Sequence, residues 1–112
     1  MAILVSTPTA PGLLRAIKQT IDEKQIDTWV YDPDGDFTHV PAQWNKKAWF
    51  RPAVESDLLV FRILTPRGTT MSKTVYGVYH GRFIEMLLTH FDRQFERALA
   101  TALAGHGDVV KG

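Results

Sequence analysis

Cysteine is absent from the 112 residues, which excludes disulfide staples, thiolate metal sites and thiol nucleophiles. A domain of this length buries roughly two thirds of its unfolded surface, so a core without staples is expected, and a cysteine-free chain fits a reducing compartment. Long apolar runs are missing too. No stretch approaches the ~18 uninterrupted apolar residues of a membrane span, and the opening Met1-Ala2-Ile3-Leu4-Val5 lacks a basic region and is too short for a signal sequence. A cytoplasmic protein without a membrane partner is therefore expected. Serine is scarce, at Ser6, Ser56 and Ser72, and none sits in a Gly-x-Ser-x-Gly elbow. Gly68 and Gly77 do not fall in the spacing of a phosphate loop or a dinucleotide fingerprint. There is no internal repeat, low-complexity run or domain-separating linker.

An excess of one charge is also lacking. Thirteen Lys and Arg against twelve Asp and Glu leave +1, too little for the overall field of a dedicated nucleic-acid binder. The distribution is uneven, however. Residues 1–45 hold three basic residues against six acidic ones, whereas residues 46–73 hold six (Lys46, Lys47, Arg51, Arg62, Arg67, Lys73) against Glu55 and Asp57.

What is present is enough apolar residue to fold: 45% of the chain, with 22% charged. One domain over residues 1–104 is expected, with 105–112 as a flexible tail after the stop signal of Gly105. Residues 2–6 read as a short strand. Thr7-Pro8-Thr9-Ala10-Pro11 suits a helix start, and Leu13, Leu14, Ile17 and Ile21 place an amphipathic helix over 10–24. Thr28–Tyr31 and Phe37–Val40 flank Asp32-Pro33-Asp34-Gly35-Asp36, a hairpin turn in which Gly35 takes positive φ. Pro41–Lys47 reads as one helical turn anchored by Trp44. Ala48–Arg51 resumes an extended pattern, with Pro52 marking an edge position. Leu58–Leu64 is the most strand-like run, and alternation over Lys73–Tyr79 predicts a further strand. From Phe83 through Ile84, Leu87, Leu88, Phe91, Phe95, Ala98, Leu99 and Ala102, apolar residues recur at helical spacing, predicting a long C-terminal helix. The expected fold is α+β: an antiparallel meander of about five strands, an N-terminal amphipathic helix and a long C-terminal helix. The order of these elements resembles that of profilin-like and roadblock-like small α+β folds, as a pattern that no residue motif carries further.

Candidate sites follow from residue chemistry. Asp32-Pro33-Asp34-Gly35-Asp36 matches the opening of a calcium loop, but Phe37 stands where the sharp-turn glycine belongs and Gln43 where the closing glutamate belongs, so a plain turn is expected. His39, His80, His90 and His106 show none of the short spacings of zinc ligands. No metal, no cofactor and no catalytic residue is assigned. Arg67, Thr69, Thr70 and His80 are candidates for holding an anion or small ligand, His80 with Gly81 being placed at a strand-to-helix junction. The densest mixture of cations and rings is Trp44, Lys46, Lys47, Trp49, Phe50 and Arg51, the expected interaction surface, in which Trp49 and Phe50 point to opposite faces if extended.

The function that this pattern predicts is a small non-catalytic binding or regulatory module for a protein or small-ligand partner. Nucleic-acid binding by segment 43–51 and acid/base catalysis in a cleft near His80 are the alternatives. A weak homodimer is expected, through the Trp44–Phe50 region or through the long helix, whose Tyr79 and Met86 fall off its apolar stripe.

Overall fold

Ile3 and Val5, two residues apart and both fully buried, make Ala2–Ser6 the strand β1. The computed structural model describes residues 2–102 and 109–111. After β1, the Thr7 hydroxyl accepts the Thr9 amide at 3.2 Å, and Pro11 occupies the first turn of α1 (Ala10–Asp22). Leu13 and Ile17 form its buried side. β2 (Trp29–Tyr31) and β3 (Phe37–His39) form the expected hairpin, with Trp29 opposite His39. Its turn is held by Asp32, whose Oδ1 accepts the amides of Asp34 and Asp36 at 3.0 Å each, and Gly35 takes φ 85°. The Asn45 amide bonds back to Pro41 O at 2.9 Å, closing the single helical turn. β4 (Trp49–Glu55) and β5 (Leu58–Pro66) make the second hairpin. β3 meets β4 at Phe50 alone, so Pro52 is never asked for an amide on that side.

The second half of the chain departs from the expected meander. Lys73–Tyr79 is not a strand but the first two turns of α2 (Lys73–Phe91), whose start is set by Ser72: its hydroxyl accepts the Val75 amide at 3.1 Å. Val75 and Tyr79, four residues apart, also satisfy a helical period, with Gly77 on the exposed side, and Tyr79, Phe83, Met86 and Leu87 continue one buried stripe. Tyr79 and Met86 thus lie in the core, not on a dimer seam. The long helix ends at Phe91 rather than near residue 102, and Arg97–Thr101 forms β6, antiparallel to β1 from Ser6↔Arg97 to Ala2↔Thr101. Ala98 and Leu99 favour a helix locally, but the open edge of β1 offers a full ladder of hydrogen bonds, and that tertiary pairing decides. Val109–Lys111 forms β7, parallel to the end of β5, so this part of the expected tail belongs to the sheet. The Gly105 stop signal lies outside the described residues.

The sheet runs β2-β3-β4-β5-β1-β6, with β7 beside β5. It is α+β and largely antiparallel, with six to seven strands instead of five, and the insertion of β1 between β5 and β6 replaces the simple meander. Both helices cover one face. Ile3, Val5, Trp29, Phe37, Phe50, Leu59, Phe61 and Ile63 from the sheet meet Leu13 and Ile17 of α1 and Tyr79, Phe83, Leu87 and Phe91 of α2. Phe83 is the centre, its ring within 4.6–5.8 Å of Phe61, Trp29, Phe50 and Phe37. None of the described helices is long and apolar enough to cross a membrane.

Candidate functional site

Pairing Trp29 with His39 across the first hairpin puts both side chains on the face toward α2. On α2, Arg82, Glu85, Met86, Thr89 and His90 recur at helical spacing and share one side. Between these walls, with Asp27, Thr28, Pro41, Gln43 and Trp44 at the rim, lies a cavity of about 370 Å³. That is the low end of the range for small-molecule sites.

His39 is the polar group most firmly built into this cavity. It is 5% exposed, its ring stacks on Trp29 at 4.4 Å between centroids, and Tyr79 meets it edge-on at 6.0 Å. Its Nδ1 lies 2.7 Å from Thr28 O. A carbonyl oxygen only accepts, so Nδ1 carries the proton and Nε2 carries the lone pair. Among the described residues Nε2 has no hydrogen-bond partner, and it is open to solvent rather than sealed in the core. Burial holds the His39 pKa below its ordinary value; the Thr28 carbonyl opposes this, the Arg82 charge adds to it and Glu85 opposes it. The ring is neutral at pH 7. Arg82 and Glu85 face each other at 3.7 Å, both well exposed, and the Thr89 hydroxyl donates to Glu85 O at 2.7 Å.

The floor of the cavity is tied down by Tyr79. Its hydroxyl donates to Trp44 O and accepts the His39 amide at 3.4 Å, while the Thr38 hydroxyl donates to Ala48 O at 2.9 Å and accepts the Lys46 amide at 3.1 Å. These bonds fix the 44–48 loop against β3 and α2, and they hold Lys46 at φ 59°. Lys46 and Lys47 are thereby brought beside Thr69, Thr70, Met71 and Ser72 in a second cavity of about 310 Å³ at the start of α2. Two candidate segments far apart in sequence meet here, although the Thr69 hydroxyl is already donated to Pro66 O at 2.7 Å. Arg67 is not part of that lining. His80 lines neither cavity. It sits inside α2, not at a junction, with Nδ1 donating to Tyr76 O at 2.7 Å and its ring edge-on to Phe50 at 5.1 Å.

The basic and aromatic segment is divided rather than continuous. Trp44 borders the His39 cavity, Lys46 and Lys47 border the second, and Phe50 is wholly inside the core. Trp49 points to the opposite face from Phe50, as alternation requires, and lies 5.8 Å beneath the Lys111 ammonium. Arg51 forks onto Asp36 at 2.9 and 2.8 Å.

Asp36, with no exposed side-chain surface, belongs to a group in which Asp32, Asp34 and Asp36 bring carboxylate oxygens within 4.8 Å of one another. The cation they surround is the Lys111 ammonium, at 2.9 Å from Asp32, 2.9 Å from Asp34 and 2.5 Å from Asp36. Burial disfavours that ammonium, but the bonds to Asp36, Asp32 and Asp34 outweigh it and hold the Lys111 pKa above its ordinary value. Burial likewise pushes Asp32 up, and the Lys111 and backbone amide bonds bring it below the usual carboxylate range.

Sequence reasoning passed over His39, Arg82, Glu85 and Lys111 as site residues. A signal for His39 exists, since it shares a strand face with buried Phe37; Lys111 has none, because its partners lie 75 to 79 residues away. No family model, curated protein or solved structure matches the chain.

Proposed function

We propose that this protein is a small-ligand binding module and that its site is the cavity between the β2–β3 hairpin and α2. The observation that carries this reading is His39: a buried, neutral imidazole with an oriented and uncommitted Nε2 in the lining. The Nδ1 bond to Thr28 O fixes the ring, so Nε2 keeps its lone pair turned to the cavity, where a ligand donor can replace solvent. The reading is tested by nuclear magnetic resonance with a library of small fragments. Binders are expected to move the Trp29, His39 and Trp44 side-chain signals together, and His39→Phe should abolish those shifts in a folded variant. Binders that act only elsewhere on the surface would refute it.

Acid/base chemistry at the same cavity is the second reading, favoured by the presence of Glu85 beside the neutral imidazole. Turnover of a bound fragment, lost in His39→Gln, would distinguish it from binding alone. Nucleic-acid binding is less favoured: Phe50 is inside the core and the exposed Arg51 is paired with Asp36, leaving Lys46 and Lys47 as the segment's cations without a carboxylate partner among the described residues. Undetectable oligonucleotide binding at low salt is expected.

A further inference from the structure

We infer that the His39 cavity takes a small protonated amine carrying an apolar body; this rests on the binding reading above and names its ligand class. The polar lining is rich in acceptors. His39 Nε2 offers a lone pair, Asp27 and Glu85 offer carboxylates, and the Thr89 hydroxyl, its hydrogen already given to Glu85 O, offers only lone pairs. Thr28 O is saturated by the His39 ring and by the Val40 amide at 2.8 Å, so it holds His39 in the accepting tautomer and is not itself free for ligand. Against these acceptors stands one guanidinium, Arg82, which faces Glu85 at 3.7 Å, and His90 at the same wall can donate or accept. Gln43 contributes either sign of dipole.

A ligand carboxylate or phosphate would meet the His39 lone pair and two carboxylates, and of the side chains around it Arg82 is the one that brings a guanidinium to favour it. An ammonium has three hydrogens to donate and no lone pair to repel, and so suits a polar lining in which acceptors predominate. The remaining lining is aromatic and apolar: Trp29, Trp44, Pro41 and Met86. Trp44, half-buried at the rim, presents a ring face of the kind that attracts cations, and Met86 and Trp29 suit a hydrocarbon or aryl body. A cavity of about 370 Å³ restricts that body to one ring or a short chain.

The test is a titration of the full chain, followed by heteronuclear magnetic resonance, with three probes that share a phenethyl body and differ in head group: phenethylamine, phenethyl alcohol and 3-phenylpropionate. Phenethylamine is expected to shift the Trp29, His39 and Trp44 signals and to bind at least fivefold more tightly than either other probe. Glu85→Gln and Asp27→Asn, both exposed and tolerant of substitution, should each weaken the amine at least threefold while leaving the alcohol within twofold. Equal or tighter binding of the carboxylate or the alcohol would overturn the amine assignment and leave the binding reading standing. No cavity shift with any of the three, in a chain whose spectrum shows it folded, would overturn both.

Discussion

Replacing Lys111 by methionine keeps the length of the side chain and removes the ammonium from its three-carboxylate cage. The effect can be bounded from the geometry. Asp34 is 70% exposed, so its share is screened to a few tenths of a kcal/mol. Asp36 is fully buried, and a charge-assisted bond to it contributes ~1.5–3 kcal/mol. The Arg51 fork remains on Asp36 in the variant, so no buried charge is orphaned and the ~3–5 kcal/mol of a fully broken pair is not reached. About 2 kcal/mol follows, and it falls on β7, whose other support is a three-residue ladder with β5 and the Arg67 amide on Lys111 O. Amide hydrogen exchange reads this directly: protection of the 109–111 amides and of the Arg67 amide should fall by roughly 30-fold, at ~1.36 kcal/mol per decade, with the α2 amides unchanged. Asp34→Asn should change the same amides less than threefold. The contribution has a definite pH window. Lys111 is raised and Asp32 lowered on folding, so it is complete between about pH 5 and 10, fades as pH falls through the depressed Asp32 value, and fades again as pH rises past ~10.5 through the raised Lys111 value. Protection of 109–111 within twofold of the parent in Lys111→Met would refute the reasoning.

Tyr79→Phe strips the Trp44 carbonyl of its donor and should cost ~2 kcal/mol, lowering Tm by about 8 °C in a thermal melt and loosening the 44–48 loop. His39 is held below its ordinary pKa, so the unfolded chain takes up the proton first and stability falls as pH drops below ~6.5; urea midpoints of His39→Gln should show a flatter slope between pH 5 and 6.5 than the parent. Gly35→Ala forces a Cβ into φ 85°, where the nearest neighbour is the flexible end of Lys18 at 3.5 Å, so the ~1 kcal/mol expected in chemical denaturation is a backbone cost and Lys18→Ala should not relieve it.

Local signals were legible where the physics is local. Turn chemistry at Asp32–Asp36, the Pro11 helix start and the strand-like run Leu58–Leu64 all led to the correct elements, since each rests on neighbours within a few residues. Lys73–Tyr79 was misread because short apolar runs satisfy both periods, whereas the helix expected from Phe83 holds through Phe91; Ser72 was the discriminating residue, as a cap followed by Tyr76, Tyr79 and Phe83 at helical spacing. Arg97–Thr101 was illegible locally, for its strand state is imposed by β1 from the other end of the chain. The same limit hides the site. Trp29 and His39 could be paired from the hairpin turn, but their opposition to Arg82 and Glu85 requires α2 to begin at Lys73 and to lie across that end of the sheet.

The central claim, that His39 offers an oriented neutral acceptor to a ligand in its cavity, is tested most directly by the 15N resonances of the His39 ring at pH 7, alone and with phenethylamine. A protonated Nδ1 and a pyridine-type Nε2, with the Nε2 resonance moving toward a hydrogen-bonded position on titration, is the predicted result. A ring that is doubly protonated at pH 7, or that carries its proton on Nε2 and ignores the amine, would contradict the account.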